Sequence, residues 1–185
     1  QYFIGDFKNG SFIPDDQLIR WLDYGPDNYA GVTWSNVPDR HLFIGWMSNW
    51  LYGQVVPTES WRSAMTIPRE LSLFEVNGTL LLASAPAREL SELKSGSFTG
   101  IDLSSNLPSE AVELEASIDD EEYFSILLEN ESGEKVLITR DNGLVSLDRS
   151  IAGNSDFHPD FSAVHSAPLS WDAHSVRVFL DASSI

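Results

Sequence analysis

The feature that most constrains this chain is its punctuation. Apolar or alternating runs of four to eight residues are broken every 8–12 residues by Gly, Pro, Asn or Asp. Helical periodicity is scarce, and short apolar or alternating runs dominate. Tyr2–Phe7 reads as a strand, Lys8-Asn9-Gly10-Ser11 as a tight turn and Phe12-Ile13 as the start of the returning strand. Tyr29–Val37 and His41–Trp46 follow, with Pro38-Asp39 as the turn between them. Next come Met65–Ile67, Leu71–Glu75, a turn at Val76-Asn77-Gly78 and Thr79–Ala83. Such a meander suits a propeller, a sandwich or a barrel.

The texture changes near residue 90. Ala87–Leu93 is the best short helical stretch, and residues 87–96 are expected to link two domains, 1–86 and 97–185. Beyond the linker, Ala111–Ile118, Tyr123–Asn130, Lys135–Arg140, Leu144–Asp148 and Ser175–Leu180 alternate strongly. Val112, Leu114 and Ala116 would share one face, Glu113, Glu115 and Ser117 the other, as in a sandwich with one wet face per sheet. Asp119-Asp120-Glu121-Glu122 reads as a solvated turn, with calcium binding as the alternative.

Charge narrows the partners. Eleven Lys and Arg against 28 Asp and Glu give a net charge of −17, which argues against nucleic acid and anionic membranes. No apolar run approaches the roughly 18 residues that span a bilayer. The absence of Cys removes disulfides and thiolate metal sites. The sequence begins at Gln1 without Met or a signal-peptide pattern, so the expectation is a start inside a longer protein or at a processing site. Asn9, Asn77 and Asn130 each head an Asn-x-Ser/Thr sequon, although Asn, Gly and Ser are common in turns anyway.

Two clusters carry candidate chemistry. Trp21–Ala30 places Asp23 and Asp27 among aromatic residues. A carboxylate can accept bonds from vicinal sugar hydroxyls while a ring covers the C–H face of the sugar, but Asp-Tyr-Gly and Pro-Asp-Asn also favour turns. Trp34, Trp46, Trp50 and Trp61, four of six tryptophans, fall within 28 residues beside Ser35, Asn36, Ser48, Asn49 and Thr58. They suit a carbohydrate surface, and equally a core in which each indole N–H finds a partner. Arg62, Arg69 and Glu70 read as a structural ion pair between strands. The histidines His41, His158, His165 and His174 have no metal-ligand spacing, and Gly-rich phosphate loops and Gly-x-Ser-x-Gly are absent.

Several ordered segments resemble glycoside hydrolase family 32, the invertases, inulinases, levanases and fructan exohydrolases. They are Asp23-Tyr24-Gly25 with Tyr29-Ala30, Ile44–Trp50, Pro57-Thr58, and Trp61–Met65 with Ile67–Leu71. Tyr2–Phe7 resembles the strand before this block, and Leu147–Ser150, Phe157-His158, Phe161 and Ser175–Asp181 resemble the family's C-terminal sandwich. The resemblance implies an all-β fold, the last part of a five-bladed β-propeller followed by a β-sandwich. It implies retaining hydrolysis by a carboxylate nucleophile and a carboxyl acid/base, with a third acid on the fructosyl hydroxyls. In the family these acids lie in Asn-Asp-Pro-Asn-Gly, Arg-Asp-Pro and Glu-Cys motifs. None occurs in this sequence, and Arg140-Asp141-Asn142 is a near miss in the sandwich half. The expectation is therefore a C-terminal portion with no catalytic residue of its own and with a closing sandwich segment cut short.

What carries over is substrate binding. Asp23 matches an acid that contacts sugar near the cleaved bond, with Pro26 where plant members often have Lys. Trp46 matches a wall of the fructosyl pocket, and Trp34, Asn49 and Trp50 are candidates for its rim. The implied partner is a fructan or sucrose-type carbohydrate, and neither cofactor nor metal is called for. A partner chain or a homodimer through an exposed propeller edge is physically attractive, and the address inferred from the substrate class is secreted or periplasmic. The alternative is a non-catalytic carbohydrate-binding or structural module.

Overall fold

The computed structural model describes residues 1–97, 99, 111–118, 123–169, 173–182 and 184–185. The acidic run 119–122 lies outside the described residues. The chain divides into two compact units, one of residues 1–94 with 156–161, the other of 95–155 with 162–185.

The first unit opens with a hairpin, β1 (Gly5–Lys8) and β2 (Ser11–Pro14), paired from Gly5↔Pro14 to Lys8↔Ser11. Asn9 and Gly10 at its tip both take positive φ, 52° and 80°, the mirror-image turn that matches strand twist. Then comes a four-stranded antiparallel meander, β3 (Tyr29–Thr33), β4 (His41–Trp46), β5 (Arg69–Val76) and β6 (Thr79–Pro86), in sequence order. That is the strand complement of one propeller blade. β5 and β6 pair over eight residues because Asn77-Gly78 closes them with another such turn. Every residue of β3 is exposed, so this edge of the sheet is open.

β3 is shorter than the run that suggested it, and it carries a bulge. Tyr29 pairs with Trp46 and Val32 with Ile44, so Ala30 and Gly31 together face Gly45. Ala30 takes φ 50°, a left-handed conformation that costs an L-residue about 1 kcal/mol. Gly31 has no choice of side chain, since a Cβ there would lie 2.1 Å from the Phe43 ring. Met65–Ile67, expected as a strand, makes a single bridge, Trp46↔Met65. Ala87–Leu93 forms a 3₁₀ helix at Arg88–Leu93.

The second unit holds β7 (Val112–Ser117), β8 (Phe124–Glu129), β9 (Lys135–Asp141), β10 (Leu144–Ile151), β11 (Val164–Pro168) and β12 (Ser175–Leu180). One sheet runs β11-β10-β9-β8 and the other pairs β12 with β7, two antiparallel sheets as a sandwich requires. Val136 and Ile138, two apart on central β9, are buried together with Val178 of β12. Each such side chain contributes about 1.5–3 kcal/mol of burial. The sequence does not announce β11, because Val164-His165-Ser166-Ala167-Pro168 lacks an apolar alternation. The even-face expectation for β7 holds less cleanly, since Glu113 is only 11% exposed beneath its ion-pair partner Arg177. β10 ends in a bulge between Asp148 and Ile151, where Asp148 accepts the Ser150 N–H at 2.9 Å.

Candidate functional site

The loop between the first hairpin and β3 carries Asp23. Its Oδ1 accepts the Gly25 N–H at 2.9 Å, the two-residue side-chain turn that Asp-x-Gly favours. Its Oδ2 accepts from the Asn28 amide at 3.1 Å and pairs with Arg69 at 2.8 Å. Arg69 is the first residue of β5, so the ion pair ties the loop to the sheet. The carboxylate is a quarter exposed and has acceptor capacity beyond these three partners. The turn-cap reading and the sugar-binding reading of Asp23 are thus compatible at one residue.

Beside the loop, three rings stand in a row. Trp46, the last residue of β4, lies edge-on to Tyr29 with centroids 6.3 Å apart, and edge-on to Trp50 at 5.1 Å. Edge-to-face contact at these distances matches the quadrupole preference of aromatic pairs. Trp46 is the half-buried centre, while Tyr29 and Trp50 are 51% and 65% exposed. Two glycines let the cluster form. A Cβ on Gly53 would fall 2.8 Å from Trp46 Cζ2 and 2.7 Å from the Asn49 carbonyl oxygen. A Cβ on Gly45 would fall 2.1 Å from Asn28 Oδ1. Gly45 lets Asn28, hydrogen-bonded to Asp23, press against β4, the strand that ends in Trp46.

The remaining candidates separate. Asn49 spends its amide on structure: Nδ2 donates to Asp27 Oδ1 at 3.0 Å and to the Pro26 carbonyl at 3.4 Å, and Oδ1 accepts the Leu51 N–H at 2.9 Å. Trp34 follows the other end of β3, beyond the Thr33↔Phe43 pair, roughly 15 Å along the strand from Tyr29. The structure does not bring it to the Trp46 row. Trp61 is 55% exposed, and Arg62 donates to the Gln54 carbonyl. The expected pairing among Arg62, Arg69 and Glu70 is different in detail. Arg69 serves Asp23, and Glu70 accepts from Arg40, whose Nε lies 3.0 Å away.

Sequence reasoning passed over Tyr52. It is 2% exposed, and its hydroxyl donates to Asp27 Oδ1 at 2.6 Å. Around it stand Phe157, His158 and Phe161, with centroids 6.1, 5.7 and 5.5 Å away. The signal available was slight, a Tyr-Gly pair following the Trp run and two Phe in a polar loop. Among the described residues, no group of three His, Asp or Glu is placed to hold a metal ion, and no helix is long and apolar enough to cross a membrane.

Comparison with known proteins agrees along the whole chain. Residues 1–84 match the glycosyl hydrolases family 32 N-terminal domain, and residues 82–185 match the glycosyl hydrolases family 32 C terminal. The full chain is 35% identical to the levanase of Bacillus subtilis (strain 168), covering 31% of that enzyme. It is 32% identical to an extracellular exo-inulinase of Aspergillus niger, covering 40% of it. The crystal structure of exo-inulinase from Aspergillus awamori superposes on 98% of this chain and 40% of its own, with a TM-score of 0.81 at 30% identity. The chain thus spans at most two fifths of the length of these relatives. The meander sheet, the two-sheet second unit and the agreement with both domain models place one conclusion beyond the sequence motifs: the chain is the last part of a five-bladed β-propeller followed by a β-sandwich, and it belongs to glycosyl hydrolase family 32.

Proposed function

We propose that these residues form the substrate-binding wall of a β-fructosidase, a secreted glycoside hydrolase that removes terminal β-fructofuranosyl units from fructan or sucrose with retention. The observations that support this reading are the partly exposed Asp23 carboxylate, hydrogen-bonded to Asn28 just before Tyr29, and the exposed rings of the Tyr29–Trp46–Trp50 row. The carboxylate accepts from sugar hydroxyls, and the exposed rings cover C–H faces. Asn49 acts behind this surface by holding Asp27, and Trp34 lies away from it at the far end of β3. In such a reaction one carboxylate attacks the anomeric carbon while another carboxyl protonates the leaving oxygen. The family motifs that hold those acids do not occur in these 185 residues. The chain by itself therefore binds without cleaving, and the whole enzyme's activity requires acids from outside this sequence.

The test is a titration of the purified chain with inulin, levan and sucrose, followed by Trp fluorescence and by assay for released fructose. Saturable quenching without fructose supports the reading. Fructose release by these residues alone, or no quenching at high sugar concentration, overturns it.

A second reading, a structural module completed by a partner chain, is favoured by one observation. Phe7, Phe12 and Ile13 on the first hairpin and all of edge strand β3 are exposed. A blade with an open edge and bare apolar side chains is built to be covered. Sedimentation of the chain alone separates the two, since a clean monomer argues against it.

A further inference from the structure

We infer that Asp27 and Tyr52 are positioning residues for the Asp23 loop, and that the hexapeptide Asp156–Phe161 is the plug that holds them in place. Asp23 is fixed at its own end of the loop by Gly25, Asn28 and Arg69. The far end of that loop has a separate anchor. Asp27 Oδ1 accepts two bonds, from the Tyr52 hydroxyl at 2.6 Å and from the Asn49 amide at 3.0 Å. Tyr52 is enclosed, with Phe157 and Phe161 edge-on to its ring at interplanar angles of 82° and 88°. A buried phenol must find a partner for its O–H, and an enclosed one cannot swing away to find another. Asp27 is that partner, so the direction of the O–H sets where residues 26–28 lie. Asn28, next in line, hydrogen-bonds Asp23 and presses against Gly45.

The plug is unusual in its origin. Residues 156–161 fall between β10 and β11 of the second unit, yet they pack as part of the first. Phe157 and Phe161 touch each other at 4.6 Å. The Phe161 N–H donates to the His158 carbonyl at 3.0 Å, and the Asp160 N–H to His158 Nδ1 at 3.2 Å, so the hexapeptide is a folded turn. A chain ending at residue 94 would lack these rings. The downstream half of the sequence thus supplies a fixed side to a loop that the upstream half carries.

The experiment uses the full 185-residue chain and its Tyr52→Phe, Asp27→Ala, Asp27→Asn and Phe157→Ala/Phe161→Ala variants, with Ser146→Ala, on β10 of the second unit, as control. Amide hydrogen exchange is read in peptides spanning residues 21–29, alongside Trp-fluorescence titration with inulin. Tyr52→Phe should speed exchange in this segment roughly five- to tenfold, the equivalent of one lost hydrogen bond, and Asp27→Ala, which removes two, at least as much, neither altering the far-UV spectrum. Asp27→Asn keeps a carbonyl oxygen for both donors and should restore most of the protection. Inulin affinity should fall several-fold in the same two variants. If the double Phe variant does not fold, Tyr52→Phe, which keeps the ring, decides. Exchange in residues 21–29 equal to wild type for Tyr52→Phe and Asp27→Ala overturns the inference. The sugar readout rests on the proposed function, whereas the exchange readout does not. A wild-type chain that binds no inulin sinks that function alone and leaves the brace to be judged by exchange.

Discussion

Gly53 shows how much a single missing Cβ can decide. The space a Cβ would need is held by the Asn49 backbone oxygen and by two ring carbons of Trp46, all within 3 Å. Backbone does not yield cheaply, so Gly53→Ala should destabilise the chain by about 1–3 kcal/mol. A lower urea midpoint at unchanged slope would show it. Trp50 is the opposite case. With 65% of its surface open, Trp50→Ala should leave the urea midpoint nearly unchanged and cost about 1 kcal/mol of sugar binding, read as a weaker inulin titration. Equal loss of stability in both variants would mean that Trp50 is a packing residue.

Elements are held to one another here by arginine. Arg40, only 10% exposed, stands before β4 and donates to Glu70 of β5 and to Glu89 of the 3₁₀ helix, the latter through two bonds of 2.5 and 2.9 Å. Bidentate pairing of this kind is the stronger form of a charge-assisted bond. The hydrogen bonds from Arg40 hold the Glu89 carboxyl at about 2, below its usual 4.5. The sign follows from that order. The fold prefers ionised Glu89, so its contribution is complete above about pH 4.5 and disappears as pH falls towards 2. Glu89→Gln should therefore lower the urea midpoint at pH 6, with the difference from wild type shrinking between pH 4.5 and pH 2. Glu89 is half exposed, so salt should shrink it as well. A pH-independent difference would assign the effect to packing.

At the scale of the whole molecule, the balance of covered and bare apolar surface stands out. Among the described residues the buried hydrophobic side chains are Tyr52, Ala87, Ile118, Val136, Ile138 and Val178. Phe7, Leu18, Ile19, Trp21, Leu73 and many others remain open. A chain of this kind, spanning at most two fifths of its relatives' length, should bind a hydrophobic dye or self-associate at micromolar concentration. Dye fluorescence and sedimentation check this together. A dye-silent monomer would mean that the exposed faces are tolerated in water.

The sequence by itself determined the all-β class, most strands and the family. Period-two alternation and Asn-Gly turns are local, and they read the same on paper as in the fold. It also singled out Asp23 and Trp46 as candidates, because their segments resemble a family pattern. What only the tertiary structure decided is who meets whom. The bulge at Ala30-Gly31 brings Tyr29 opposite Trp46, and neither residue type announces that pairing. Arg69 chooses Asp23 over its neighbour Glu70, because successive strand residues face opposite sides. Asn49 turns its amide inward, and Trp34 ends up at the far end of its hairpin. Tyr52 gains its ring cage from residues more than a hundred positions downstream. Local preferences fix elements through contacts a few residues apart, whereas these partners are set by long-range closure, which no short window of sequence contains.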